Sequence, residues 1–351
     1  MKKITIMASA ILSLNAFVSN AAVLTVSNSP VSAGQYTVVD SAIAHSSVGD
    51  TVYVNGSAID YTYAHITKRI VLIGAGYAVT GTAYNLNTMI SNITIDSAAF
   101  SGNPVNGTHI IGIYSTSGIN PSVITTNVIV ERCATTYINT GGGQGWIIQN
   151  NIITSQINLY GSPSSTISSC IIRNNFFTGS SNVIWANSVQ NAPGLLIDHN
   201  IMEGTIGQIT YATMTNNIFF FAHIDNSSAN NYNVYNNNIT VYSSADTLPF
   251  GTNSGAGNLN NLLPGNVFGS GVVSPQTYPA LLAYNWQVNV SSPGHHGATD
   301  GTDIGMYGGP HAMPNLTGAS TLPQMTLLNI SNSSIPLNGT LNYEFKARKQ
   351  N

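Results

Sequence analysis

Cys170-Ile171-Ile172-Arg173-Asn174-Asn175, followed by Leu195-Leu196-Ile197-Asp198-His199-Asn200, decides how this chain folds. Each hexapeptide has an apolar triplet, two polar residues and a closing Asn. Toward the N-terminus the pattern returns as Trp146-Ile147-Ile148-Gln149-Asn150-Asn151 and Val128-Ile129-Val130-Glu131-Arg132-Cys133. Toward the C-terminus it returns as Ala212-Thr213-Met214-Thr215-Asn216-Asn217 and Asn233-Val234-Tyr235-Asn236-Asn237-Asn238. From Cys133 to Asn238 the closing position recurs after 18, 24, 25, 17 and 21 residues. A variable period near this length fits a solenoid coil of three short strands and three turns, with the differences absorbed in loops. A propeller blade needs about twice the length, and a leucine-rich repeat needs leucines at fixed offsets.

Successive coils lie about 4.8 Å apart, the spacing of neighbouring strands. Val130, Ile148, Ile172, Ile197, Met214 and Tyr235 therefore stack as an inward column. Asn151, Asn175, Asn200, Asn217 and Asn238 form the closing column, where an amide can bond both the turn backbone and the Asn of the next coil. Cys133 shares that column, whereas Cys170 lies five positions earlier in the pattern and two coils away. Two coils span roughly 10 Å, beyond the reach of a disulfide. Two free, buried thiols are expected.

The stacked asparagines resemble the asparagine ladder of the pectate-lyase-like superfamily. That resemblance implies an all-β fold, a single-stranded right-handed parallel β-helix. Tyr36 to Tyr77 resembles the opening of such proteins: Val38 to Ser46 has a helical pattern suited to capping the open first coil. Val48 to Val54 then enters a first strand, Ile66 to Gly76 forms the next coil, and Ile90 to Asp96 another, followed by a looping excursion through Asn120. Ser292 to Gly297 and Asp303 to Gly309 resemble the closing coil of exported Bacteroidetes-type β-helix proteins. Met325 to Ile330 and Leu341 to Ala347 read as two strands of a small β tail.

Lys2 and Lys3, the apolar run Ile4 to Val18 and the small residues before Ala21 read as a signal peptide. The expected organisation is a leader over 1–21, a β-helix over 22–312 and a tail over 313–351, in a protein that is secreted, periplasmic or held at the cell surface. Charged residues make up only 6% of the chain and apolar residues 43%, against a usual charged quarter. The composition argues against disorder, because disordered chains pair low hydrophobicity with high charge. A net charge of −3 and no basic cluster leave nothing to neutralise phosphates, so nucleic acid is not an expected partner. The apolar start is short for a membrane span, and no later run is longer.

The superfamily resemblance implies polysaccharide lyases and glycoside hydrolases. Hydrolases bring carboxyl groups together, whereas lyases use calcium-binding carboxylates with an Arg or Lys base. The acids of the repeat region are Glu131, Asp198, Glu203, Asp225 and Asp246, with no adjacent pair. The register sets Glu131, Gln149, Arg173, Asp198, Thr215 and Asn236 in one outward column. With His199 and Glu203 added, the candidate catalytic cluster is Arg173, Asp198, His199, Glu131 and Glu203; its competitor is a structural charge ladder across coils. No cofactor is expected, with calcium only if the protein is a lyase. His295, His296, His311, Asp300 and Asp303 form a second polar group, but neighbouring side chains of an extended chain diverge, so no metal is expected there. Gly141-Gly142-Gly143 lacks the residues of a phosphate or calcium loop.

Two apolar columns remain: Ile129, Ile147, Ile171, Leu196 and Val234, with a polar break at Thr213 between the last two, and Ile152, Phe176, Ile201, Ile218 and Ile239. Alternation turns at least one of them outward, where either loops and tail cover it or it forms a flat interface for a homo-oligomer. Three functions follow: an exported, non-catalytic β-helix that binds glycan or a cell-surface protein; a polysaccharide lyase or glycoside hydrolase; or a structural protein that oligomerises through an apolar face.

Overall fold

The computed structural model describes residues 21–30, 34–78, 86–96, 105–159, 167–179, 182–186, 194–221, 230–241, 247–269, 278–314, 316, 318, 324–330, 339–340 and 343–348. Residues 1–20, all but the last of the expected leader 1–21, and the acids Asp225 and Asp246 lie outside the described residues.

An apolar triplet with one residue to bury makes each strand of the first sheet. Ile129–Glu131, Ile147–Gln149, Ile171–Arg173, Leu196–Asp198, Thr213–Thr215 and Val234–Asn236 all alternate half-buried, buried, half-buried. They pair in parallel and in the expected register, so Val130, Ile148, Ile172, Ile197, Met214 and Tyr235 stack inside with at most 1% of their surface exposed. With Val23–Val26, Thr51–Val54, Val71–Gly74 and His109–Ile111 they complete a ten-stranded sheet. A second, thirteen-stranded sheet runs from Tyr61–Ile66 to Leu259–Leu262. In it Ile152–Asn158 pairs with Phe176–Phe177 at one end and Asn182–Trp185 at the other. The second and third strands of a coil thus merge into one sheet. The molecule is an all-β parallel solenoid.

The closing asparagines form a continuous ladder. Asn151 Nδ2 donates to Asn175 Oδ1 (3.0 Å) and to Val130 O (3.0 Å). Asn175, Asn200 and Asn217 repeat both bonds to the next Asn and to a carbonyl of the previous coil. Each Oδ1 also accepts the backbone N–H one coil earlier, beginning with Cys133 N to Asn151 Oδ1 at 2.9 Å. The ladder continues one coil further than its sequence pattern, because Asn238 donates to Asn258. A shorter ladder serves another turn: Asn233 Oδ1 accepts from Ala212 N, and Asn253 Oδ1 accepts from Asn233 N. Cys133 and Cys170 are free and buried. Burial pushes the Cys133 thiol up to about 12 and raises Cys170 as well, so both are poor nucleophiles.

Two expectations need correction. The stretch before Asn120, expected as a loop, supplies the strands His109–Ile111, Tyr114–Ser115 and Ile119–Pro121. His109-Ile110-Ile111-Gly112-Ile113 is the same repeat, with glycine (φ +66°) at the turn position where later coils carry Asn; the missing Asn hid it. Val23–Val26 also precedes Thr51–Val54 as an additional strand. The helix Val39–His45 forms where expected and buries Val39, Ala42 and Ile43. It is tied down by Asp40, which accepts from the backbone N–H of His65 at 2.7 Å and lies 2.9 Å from its Nδ1. Gln324–Ile330 and Tyr343–Arg348 pair antiparallel, as the tail pattern implies.

The column Ile152, Phe176, Ile201, Ile218 and Ile239 starts the second-sheet strands and points away from the solenoid interior. It is nevertheless buried, in a second apolar cluster with Phe268, Leu281, Trp286, Val288, Ile304, Met306 and Met313. Trp286 packs edge-on against Phe176, Phe220 and Phe268, with centroids 4.5, 5.5 and 5.4 Å away. The chain after the last coil therefore turns back and covers this stripe.

Candidate functional site

A turn must reverse the chain between the two sheets, and one residue per coil takes the left-handed conformation to do so. Arg132, Asn150, Asn174, His199, Asn216 and Asn237 have φ between +52° and +58°. Asn tolerates this backbone best among non-glycine residues, which explains its excess there. The same turn aims these side chains outward, and the returning segment is bonded to them. Asn237 Nδ2 donates to Gly297 O (2.8 Å) and Asn216 Nδ2 to Thr299 Oγ1 (2.9 Å). Asn174 Nδ2 donates to Met306 O (3.0 Å) and Gly308 O (2.8 Å), and Asn150 Nδ2 to His311 O (3.1 Å). Residues 297–311 thus run back along the turns, against the direction of the coils. Ser292 to Gly297 and Asp303 to Gly309 therefore do not form the closing coil expected of them: the last coil strand is Leu259–Leu262, and this stretch is made of turns that dock on earlier coils.

His199 lies in this column. Its side chain is 2% exposed, with Nδ1 3.0 Å from Asp198 Oδ1 but off the line of a hydrogen bond, and Nε2 3.9 Å from Asp300 Oδ1. Thr302 Oγ1 is 3.3 Å from Nε2. A Cβ on Gly308 would meet Asp303 O at 1.7 Å and the His199 ring at 2.8 Å, so only glycine lets the segment close over the ring. His199 is a seat for the returning chain.

The neighbouring column is the one the register foresees. Gln149 Nε2 donates to Glu131 Oε2 (2.6 Å), and Arg173 Nε donates to Gln149 Oε1 (2.9 Å). Thr215 Oγ1 (2.7 Å) and Asn216 Nδ2 (2.9 Å) both donate to Asp198 Oδ1. Burial pushes the Glu131 carboxyl up, but His109 and Gln149 outweigh it and hold it below its ordinary value. Asp198 follows the same rule: burial raises it, and His199, Thr215 and Asn216 bring it below the usual range. Burial lowers the Arg173 guanidinium, opposed by the charges of Asp198 and Glu131. Among the described residues no carboxylate lies within ion-pair distance of Arg173.

Of the five candidates, the structure brings Glu131, Arg173 and Asp198 onto one face, with His199 beside Asp198 and roofed over. Glu203 is not among them. It follows Ile201–Met202 on the second sheet, is 5% exposed, and donates its N–H to Phe177 O at 3.0 Å. The ladder turn carries the chain from one sheet to the other between Asp198 and Glu203, so proximity in sequence misplaced it. His109 is the residue the sequence missed: its Nε2 lies 3.4 Å from Glu131 Oε1. It extends the apolar row by one coil, paired with Ile129 in the same register.

His295 and His296 depart from the expected divergence of neighbouring side chains. Their rings lie 3.9 Å apart, because His296 has φ +52° and the chain is not extended there. No protein-family model matches the chain, and no curated protein matches it. Fold and face define the class: a parallel β-solenoid with an asparagine ladder and a returning segment fastened to its turns.

Proposed function

We propose that this chain is an exported right-handed β-helix of the pectate-lyase-like type, with Val39–His45 as its N-terminal cap, and that it binds polysaccharide without cleaving it. Export rests on the basic and apolar start of the chain. The observation that carries the binding role is the outer face of the first sheet. There the half-buried row Ile129, Ile147, Ile171 and Leu196, continued past Thr213 by Val234, runs beside the half-buried row Glu131, Gln149, Arg173, Asp198, Thr215 and Asn236. A flat apolar strip suits the C–H faces of sugar rings, and the adjoining amide, carboxylate and guanidinium groups suit their hydroxyls. A general acid or base works best with a pKa near the operating pH. Glu131 and Asp198 are displaced in the opposite direction, which favours binding over cleavage.

One observation favours a second reading, a polysaccharide lyase that uses calcium. Burial moves Arg173 downward, the direction a lyase base requires. Retardation of the protein in gels loaded with neutral and acidic polysaccharides, run beside assays for unsaturated product and reducing ends with and without calcium, separates the two. Retardation without product is the expected result. Product formation abolished by Arg173→Ala would replace the binding reading with the lyase.

A further inference from the structure

The loop that begins the returning segment gathers three metal-ligating side chains. Ser292 to Gly297 passes through overlapping turns, with His295 N–H donating to Ser292 O (3.0 Å) and Gly297 N–H to Gly294 O (3.2 Å). The left-handed backbone at His296 swings its ring beside that of His295, tilted by 40°. Asp303 arrives from the other arm of the loop, held by Ile304 N–H donating to Gly294 O at 3.0 Å. Its Oδ1 lies 2.7 Å from His295 Nδ1 and accepts the backbone N–H of His296 at 2.9 Å. One ligating atom from each of the three side chains falls within 4.8 Å of the others.

We propose that His295, His296 and Asp303 bind a borderline divalent transition metal, of the Zn2+ or Cu2+ class, with water completing its shell. Two imidazole nitrogens and one carboxylate oxygen suit these ions, whereas Ca2+ and Mg2+ call for oxygen throughout. The bond from His296 N–H to Asp303 orients the carboxylate as an outer partner orients a metal ligand. His295 and Asp303 are 28% and 27% exposed and His296 is exposed, so an ion can enter and water can occupy the open positions. The metal would pin together the two arms of the loop, one of which is bonded to the Asn237 turn through Gly297 O. None of the three residues belongs to the proposed polysaccharide face, so the two proposals stand or fall separately.

The test is calorimetric titration of the full chain, free of any polyhistidine tag, with ZnCl2, CuCl2, CaCl2 and MgCl2. One equivalent of Zn2+ and of Cu2+ should bind, and neither Ca2+ nor Mg2+ should compete. His296→Asn keeps a residue that tolerates the left-handed backbone, and His295→Gln keeps side-chain size and polarity. Each should weaken Zn2+ binding about 10- to 100-fold or more, with circular dichroism and metal-free Tm unchanged. Nitrogen coupling in the Cu2+ electron paramagnetic resonance spectrum should disappear in the double variant. Saturable Zn2+ binding of equal affinity in the native chain and both variants overturns the site, as does no saturable binding by the folded native chain.

Discussion

Two apolar stripes run along the outside of this solenoid, and they meet different fates. Ile152, Phe176, Ile201, Ile218 and Ile239 sit one residue past the ladder and are fully buried. Ile129, Ile147, Ile171, Leu196 and Val234 sit on the first sheet and stay half-buried. In sequence the stripes are hard to tell apart. What separates them is the chain after the last coil, which folds back over one, while the other stays half-buried among the described residues. The covered stripe is thus a second core; its cover is mostly the stretch from Val267 to Met306, which falls within the expected β-helix rather than the tail. The covered stripe therefore offers no free surface for self-association; of the two stripes, the first-sheet one is the candidate.

The largest effect should come from removing the cover. Trp286 is 1% exposed, touches Phe176, Phe220 and Phe268, and donates through Nε1 to Leu281 O at 2.9 Å. Trp286→Ala should cost about 3–5 kcal/mol in chemical unfolding, the range for a large aromatic lost from a core. It should also expose the stripe to a hydrophobic dye. A loss under about 1 kcal/mol, the centre of ordinary point-mutation effects, would mean that the returning segment covers the stripe without being held by it.

Much of this contrast was legible in the repeat, and the reasons for the remainder are physical. Parallel strands in register preserve columns, so Val130 to Tyr235 and Asn151 to Asn238 could be placed from spacing alone. Asn258 escaped because its coil lacks the apolar triplet, and His109–Ile111 because Gly112 performs the turn that Asn performs later. The charged column was legible for the same reason as the core. Glu203 was misplaced because five residues of sequence cross the ladder turn from one sheet to the other. The docking of residues 297–311 onto Asn150, Asn174, Asn216 and Asn237 was invisible, since contacts sixty or more residues apart leave no periodic trace.

Acid should act on the open side. Asp198 accepts from Asn216, which also holds Thr299 of the returning segment, and Glu131 anchors the Gln149–Arg173 run. Both carboxyls lie below their ordinary values when folded. Their stabilisation is therefore complete above the unfolded values of about 4 and is lost as pH falls through the folded ones. Thermal melts should be insensitive to these two groups between pH 5 and 8 and decline below about pH 4. Asp198→Asn should flatten the acid limb; an unchanged limb would remove Asp198 from the linkage.

The smallest effect on stability should come from charging the open stripe, and it is the sharpest test of the contrast. Ile171 lies in the middle of the first-sheet row, flanked by Ile147 and Leu196 in register, and is only half-buried. A lysine there can run its methylenes along the row and keep its ammonium in water. Ile171→Lys should therefore change unfolding free energy by no more than about 0.5 kcal/mol, as surface substitutions do. The same charge interrupts the flat apolar strip that the proposed polysaccharide would lie on. Gel retardation by polysaccharide, or any concentration-dependent association seen by sedimentation, should fall while the melt stays in place. A large loss of stability would instead mean that this stripe too is covered, and the difference between the two faces would vanish.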